Sequence, residues 1–171
     1  MPPRPAKPAD ILMLARIHAA AWEETYTGLL PTAEIMRACN PIARQVQWAR
    51  TLANNDNRTF VLDDLGFACI GPQRDATLHA QGYPEELLTL YLLRIGQHRG
   101  HGKALLRAAL GASPQPLTAT VLAGNTRACG FYARLGGRTV ASITDQIGDE
   151  TVTEQVYGWD QPRLLLDPML R

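Results

Sequence analysis

Residues 86–111, ELLTLYLLRIGQHRGHGKALLRAALG, constrain the chain most, because they read as a strand, a glycine turn and a helix in immediate succession. ELLTLYLLR is nearly continuous in apolar residues, the pattern of a strand buried on both faces. Beyond the glycines, Leu105, Leu106, Ala109 and Leu110 form one apolar stripe while Lys103 and Arg107 face away. That spacing predicts an amphipathic helix ending at Gly111. A glycine turn between strand and helix is a ready anion site, since the helix N-terminus offers free amides and positive dipole density. Two familiar versions of the device fail here. A phosphate loop of nucleotide hydrolases would need four residues between its glycines and Ser or Thr after the lysine, but five separate Gly96 from Gly102 and Ala104 follows Lys103. A dinucleotide-binding turn would need a third glycine at position 105, which is leucine.

The remaining chain supplies elements around this segment. Ile11, Leu14, Ala15, His18 and Trp22 recur at helical spacing behind Asp10, a candidate cap. Gly28 and Pro31 interrupt the pattern, Thr32 is a candidate cap for a short second helix, and IARQVQWARTLAN continues helically. RTFVLDD and LGFACIG read as strands joined by a tight turn at 63–66, and PQRDATLHAQGYPEE as a loop. LTATVLA is another strand, Asn125 caps a helix whose stripe is Ala128, Phe131, Tyr132 and Leu135, and RTVASI with TVTEQVYGW forms a closing hairpin.

Composition excludes several function classes. The 171 residues suit one domain spanning 1–171, with 46% hydrophobic and 19% charged residues. A net charge of +1 is too small for a broad nucleic-acid-binding face, so no nucleic-acid partner is expected. The N-terminus lacks the apolar core of a signal peptide, and no segment approaches the roughly 18 apolar residues of a membrane span, which predicts a cytoplasmic protein with no membrane partner. Cys39, Cys69 and Cys129 are too far apart for a disulfide framework or a zinc spacing and read as small buried residues. His98 and His101 lack a third ligand in their glycine turn, so no metal is expected.

QHRGHG at 97–102 fits the pattern Gln/Arg, any two, Gly, any, Gly/Ala, and resembles the acyl-CoA pyrophosphate loop of the GNAT acetyltransferase superfamily. The strand before it, the helix after it and the block GNTRACGFYARLGG at 124–137 strengthen the resemblance, which covers 86–143 well. It extends more loosely to RPAKPAD and WEETYTGLLP near the front. The resemblance implies an α+β (mixed α/β) fold: a central mixed, mostly antiparallel sheet of about six to seven strands, about four to five flanking helices, and a splay between the fourth and fifth strands. One departure stands out. MPPRPAKP holds four prolines where the family begins with an edge strand, so that strand is expected to be very short or absent.

The resemblance also implies a chemistry: acetyl-CoA as co-substrate, and direct transfer of the acetyl group to a primary amine in a ternary complex. Backbone amides of Arg99, Gly100, His101, Gly102, Lys103 and Ala104 would cradle the pyrophosphate, with charge from Arg99 and Lys103. Leu92, Leu93 and Arg94 would lie along the pantetheine arm by strand addition, and the Leu92 amide would polarise the thioester carbonyl. Asn125 belongs to the second cofactor-contacting block. Tyr132 matches the family's acid for the departing thiolate, whose ordinary pKa is about 8.5, and Glu86 stands where many members carry a base acting through water. Trp22, Tyr26 and Tyr83 are candidates to line the pocket for a small-molecule or peptide amine. The alternative is a non-catalytic acyl-CoA-binding or sensing module of the same fold. The apolar tail LLLDPMLR points to docking on the chain's own core or to a homodimer.

Overall fold

The structure, a computed structural model, describes residues 2–112 and 114–167. They pack as two compact units, one of residues 2–71 and 88–111 and the other of 72–87, 112 and 114–167.

In the first unit the proline-rich start forms β1, Arg4–Pro5, only two residues long. It pairs antiparallel with β2, Arg58–Leu62, which pairs in turn with β3, Gly66–Pro72. Proline contributes no N–H to a ladder, so the edge strand is as short as its composition allows. Asp10 does not cap the first helix through its side chain. Its carboxylate turns back to accept from the Lys7 N–H at 2.7 Å and from both ends of the Arg4 guanidinium at 2.8 Å. The helix α1, Ile11–Tyr26, buries Leu14, Ala15, Ile17, His18 and Ala21. After α2, Thr32–Ala38, the α3 helix, Pro41–Ala53, opens with Asn40 Oδ1 accepting from the Ala43 N–H at 3.0 Å and a proline in its first turn. Trp48 of α3 meets Phe67 edge to face at 4.8 Å, in a core with Leu14, Ala15, Ile17 and Val61.

β4, Glu85–Leu92, contributes its first three residues to the second unit and the rest to the first. In the first unit Gly66 of β3 lies so close to it that a Cβ would stand 2.4 Å from the Tyr91 carbonyl oxygen, which only glycine avoids. The helix α5, His101–Leu110, buries the expected stripe of Leu105, Leu106, Ala109 and Leu110. Its last turn is closed by the Arg58 Nε–H donating to the Ala109 carbonyl at 2.9 Å.

In the second unit the stretch read as a loop contains a helix, α4, Ala76–Ala80, capped by Asp75 Oδ1 accepting from Thr77 and Leu78. A single turn that buries only Leu78 carries no periodicity to detect. β4 runs parallel to β5, Leu117–Leu122, through two pairs, Glu85↔Leu117 and Glu86↔Thr118. That short ladder is the expected splay. It also departs from the reading of β4 as buried on both faces, because only Glu86 and Leu87 of the strand are buried and its other residues are half-covered. β5 pairs antiparallel over its whole length with β7, Glu150–Trp159, and β7 with β6, Arg138–Ile147. Strand by strand, the hydrogen-bonded order is β1-β2-β3-β4-β5-β7-β6, mixed and mostly antiparallel. The helix α6, Thr126–Arg134, follows β5 with Asn125 Oδ1 accepting from the Ala128 N–H at 3.2 Å. Of the apolar tail, Leu165 is buried and Leu164 exposed, and residues 168–171 lie outside the described residues.

Candidate functional site

The glycine turn has the form an anion site requires. Gly100 takes a left-handed φ of +79° and stands at the N-cap of α5 with no side chain capping the helix. The first intrahelical bond is Ala104 N–H to the Gly100 carbonyl at 3.0 Å. The N–H groups of His101, Gly102 and Lys103 therefore have no helical acceptor, whereas that of Ala104 does. Its chain neighbours and the helix's own backbone apart, no atom lies within 4 Å of where a Cβ on Gly100 would stand. The turn is braced from behind: Gln97 Nε2 donates to the Leu92 carbonyl at 3.0 Å, and His101 Nδ1 lies 3.0 Å from the Gly96 carbonyl. Arg99 is exposed and Lys103 half-buried.

The strand end leading into this turn is firmly held. Leu93 donates its N–H to the Leu65 carbonyl at 2.8 Å, and Arg94 donates its N–H to the Glu24 carboxylate at 2.7 Å. The Arg94 guanidinium also reaches the Glu24 carbonyl at 3.0 Å. Glu24 was not singled out from sequence, where it is one of two adjacent glutamates on α1.

The helices of the first unit bring Trp22 and Tyr26 together, with ring centroids 4.3 Å apart, and the Tyr26 hydroxyl lies 3.2 Å from that of Tyr91. Arg44 of α3 sits under the Trp22 ring at 5.7 Å. Burial pulls its guanidinium below the ordinary arginine value. His18, 2% exposed, packs against Trp48, Phe67 and Tyr91, and burial lowers its pKa to about 3, helped by the Arg44 charge. His18 is therefore neutral at pH 7.

In the second unit Tyr132 is 7% exposed on α6, among the rings of Phe131, Tyr157 and Trp159 at 5.4–5.8 Å. Asn125 caps the same helix. Glu86, 5% exposed, is gripped by Arg74, whose Nη2 lies 2.6 Å from Oε1 and whose Nε lies 2.9 Å from Oε2. Both carboxylate oxygens thus accept from one guanidinium fork. Glu154 on β7, another residue missed in the sequence, has its pKa raised by burial and then by the charges of Asp145 and Glu86. Tyr83 also belongs to this unit, where its hydroxyl donates to Asp160 Oδ1 at 2.6 Å. Burial and that bond raise the Tyr83 pKa, while the bonds from Tyr83 and Arg138 hold Asp160 below the usual carboxylate range. Among the described residues no group of three His, Cys, Asp or Glu side chains could hold a metal ion, and no helix is long and apolar enough to cross a membrane.

A mostly antiparallel sheet with one parallel step at β4–β5, and a glycine turn delivering β4 into an uncapped helix, define the acyl-CoA N-acyltransferase class of fold. The chain belongs to the acetyltransferase (GNAT) family, whose model matches residues 16–137. It is 34% identical over 109 residues to the uncharacterized N-acetyltransferase YuaI of Bacillus subtilis (strain 168), covering 60% of this chain and 58% of that protein. Its fold is similar to that of the PaiA N-acetyltransferase of Thermoplasma acidophilum in complex with coenzyme A, at a TM-score of 0.68 and 18% identity over 92% of this chain and 98% of that one. It is also similar to yncA of Salmonella typhimurium, solved with acetyl-CoA, at a TM-score of 0.66 and 18% identity over 92% of each chain. A third similar structure is the ribosomal-protein-alanine N-acetyltransferase of Brucella melitensis, at a TM-score of 0.69 and 20% identity over 94% of this chain and 99% of that one.

Proposed function

We propose that residues 1–171 form a single N-acetyltransferase domain that uses acetyl-CoA and transfers the acetyl group directly to a primary amine in a ternary complex. The observation that carries this reading is the uncapped start of α5 behind left-handed Gly100, open where a side chain would otherwise stand. The N–H groups of Gly100, His101, Gly102 and Lys103 fit a pyrophosphate, with Arg99 and Lys103 adding positive charge. Coenzyme A and acetyl-CoA in two structures of the same fold support that ligand. Acetyl-CoA supplies the activated acyl group, and the chain orients it and moves protons. The segment Leu92–Arg94 is assigned to the pantetheine arm, and because Leu93 and Arg94 already spend their N–H groups internally, the Leu92 amide is the donor assigned to the thioester carbonyl. Asn125 orders the start of α6, which carries Tyr132.

Tyr132 Oη is assigned to protonate the departing thiolate. Glu86 is assigned to take the amine's proton through a water. A carboxylate has about four acceptor positions. The Arg74 fork occupies one on each oxygen and the Arg74 N–H, 3.4 Å from Oε2, takes a third, which leaves one for that water. Trp22, Tyr26 and Tyr83 are each assigned to contacts with the acceptor. We place the enzyme in the cytoplasm, acting on small-molecule or peptide amines, with a homodimer as its assembly. Thiol release from acetyl-CoA with a panel of amines, together with calorimetry of coenzyme A, tests the reading. Release with at least one amine supports it, binding without release to any amine favours the non-catalytic acyl-CoA module, and absence of coenzyme A binding removes both.

A further inference from the structure

The layer of α1, α3 and the end of β4 holds a polar cluster that the proton transfers assigned above do not use. Arg44 is its centre. Its Nη1 donates to Gln47 Oε1 at 2.8 Å, and its face lies under Trp22, but its Nε–H is shut off from solvent with no acceptor. Among the described residues no carboxylate pairs with this guanidinium. Two neighbours share the defect. Trp48 Nε1, one turn along α3, and His18 Nδ1, one turn before Trp22 on α1, are also buried without a partner. The His18 and Trp48 rings are 5.7 Å apart, so these orphans belong to one cluster. Folded chains pair nearly all buried polar groups, and three orphans around one half-buried cation mark a place where something else completes the bonding.

The chemistry of that completion follows from the arginine. With Nη1 engaged, the remaining edge of the guanidinium is the one carrying Nε, and such an edge matches the two oxygens of a carboxylate. One guanidinium set between Gln47 and the Trp22 ring fits a single negative charge better than a phosphate, which is usually met by a cluster of arginines. The wall beside it is aromatic, formed by half-buried Trp22 and Tyr26. Building on the acetyltransferase reading, we propose that the acceptor is a small amino-carboxylate whose carboxylate pairs with the guanidinium of Arg44 while its body rests against Trp22 and Tyr26.

The test compares L-amino acids with their carboxamides and decarboxylated amines, and includes O-phosphoethanolamine. Purified full-length protein, Arg44→Gln and Arg44→Lys are assayed for thiol release from acetyl-CoA, with circular dichroism confirming that each variant folds. The expected result is that the chain prefers at least one amino-carboxylate over its amide by about a hundredfold in kcat/KM, the weight of a charge-assisted pair. Arg44→Gln should erase that preference through KM. Arg44→Lys, which keeps the charge and loses the fork, should retain about a tenth of the wild-type kcat/KM on the acid. If no amine is turned over, calorimetry of the same acids in the presence of coenzyme A separates the two claims. Acid binding abolished in Arg44→Gln upholds the carboxylate site and removes the transferase reading. Equal handling of acids and amides, a preference for O-phosphoethanolamine, or undiminished discrimination in Arg44→Gln overturns the inference.

Discussion

Buried His18 makes stability depend on pH in a way that one substitution isolates. Its imidazole is 2% exposed, ringed by Trp48, Phe67 and Tyr91, and keeps a pKa of about 3 in the fold against 6.5 for an ordinary histidine. The folded pKa is depressed, so the unfolded chain binds a proton below pH 6.5 that the native chain refuses. The stability concerned is fully present above pH 6.5 and is lost as pH falls toward 3. At about 1.4 kcal/mol per pH unit, going from pH 6.5 to 4.5 removes on the order of 3 kcal/mol through this residue alone. Carboxylates held low, such as Asp10 and Asp160, also weaken the fold in acid, so the informative quantity is a difference. His18→Phe retains the aromatic packing and removes both the titrating group and the unpaired Nδ1. Urea unfolding from pH 7.5 to 4.5 should show similar stabilities at the upper end. The variant should lead by about 2–3 kcal/mol at the lower end. Parallel curves would refute the claim that His18 is sealed in neutral form.

Three further expectations concern the backbone and the chemistry. Gly66→Ala drives a Cβ to 2.4 Å from the Tyr91 carbonyl oxygen and 2.6 Å from the Leu92 side chain, and should cost about 3 kcal/mol in urea unfolding. A variant as stable as the parent would contradict the close approach of β3 to β4. Tyr132→Phe should keep its packing against Tyr157 and Trp159 and lower turnover about a hundredfold with little change in coenzyme A affinity. Undiminished turnover would take Tyr132 out of the proton transfer. Arg74→Gln removes the guanidinium fork from Glu86, leaving the Arg74 N–H on Oε2, and should lower kcat/KM if the fork positions Glu86 as the base. An unchanged kcat/KM would pass the role to another group, with Glu154, whose pKa burial raises, the next to substitute.

The parts of the fold visible in the sequence are those that repeat or break sharply. The α5 stripe ends at Gly111, where φ is +70°, and Asn125 caps α6 as its position suggests. The two-residue β1 follows from its prolines. The sequence hid what depends on a single turn or a distant partner. α4 is too short for periodicity, and the Asp10 carboxylate chose Arg4 and the Lys7 amide over the helix it precedes. In the site, the glycine turn was legible because its chemistry is local. Arg44, Glu24 and Arg74 were not, because a cation or carboxylate on a polar helix face or in a loop looks solvated until its partners, or the lack of them, are seen in three dimensions.

Titration of the protein and of Gly100→Val with coenzyme A and with dephosphorylated pantetheine most directly tests the central claim that the turn before α5 holds the cofactor's pyrophosphate. A β-branched side chain at φ +79° distorts the turn that opens α5. The expected result is coenzyme A binding by the parent, at least a tenfold loss in the variant, and equally weak pantetheine binding in both. Coenzyme A binding that survives Gly100→Val intact, or a parent that does not bind it, would contradict the account.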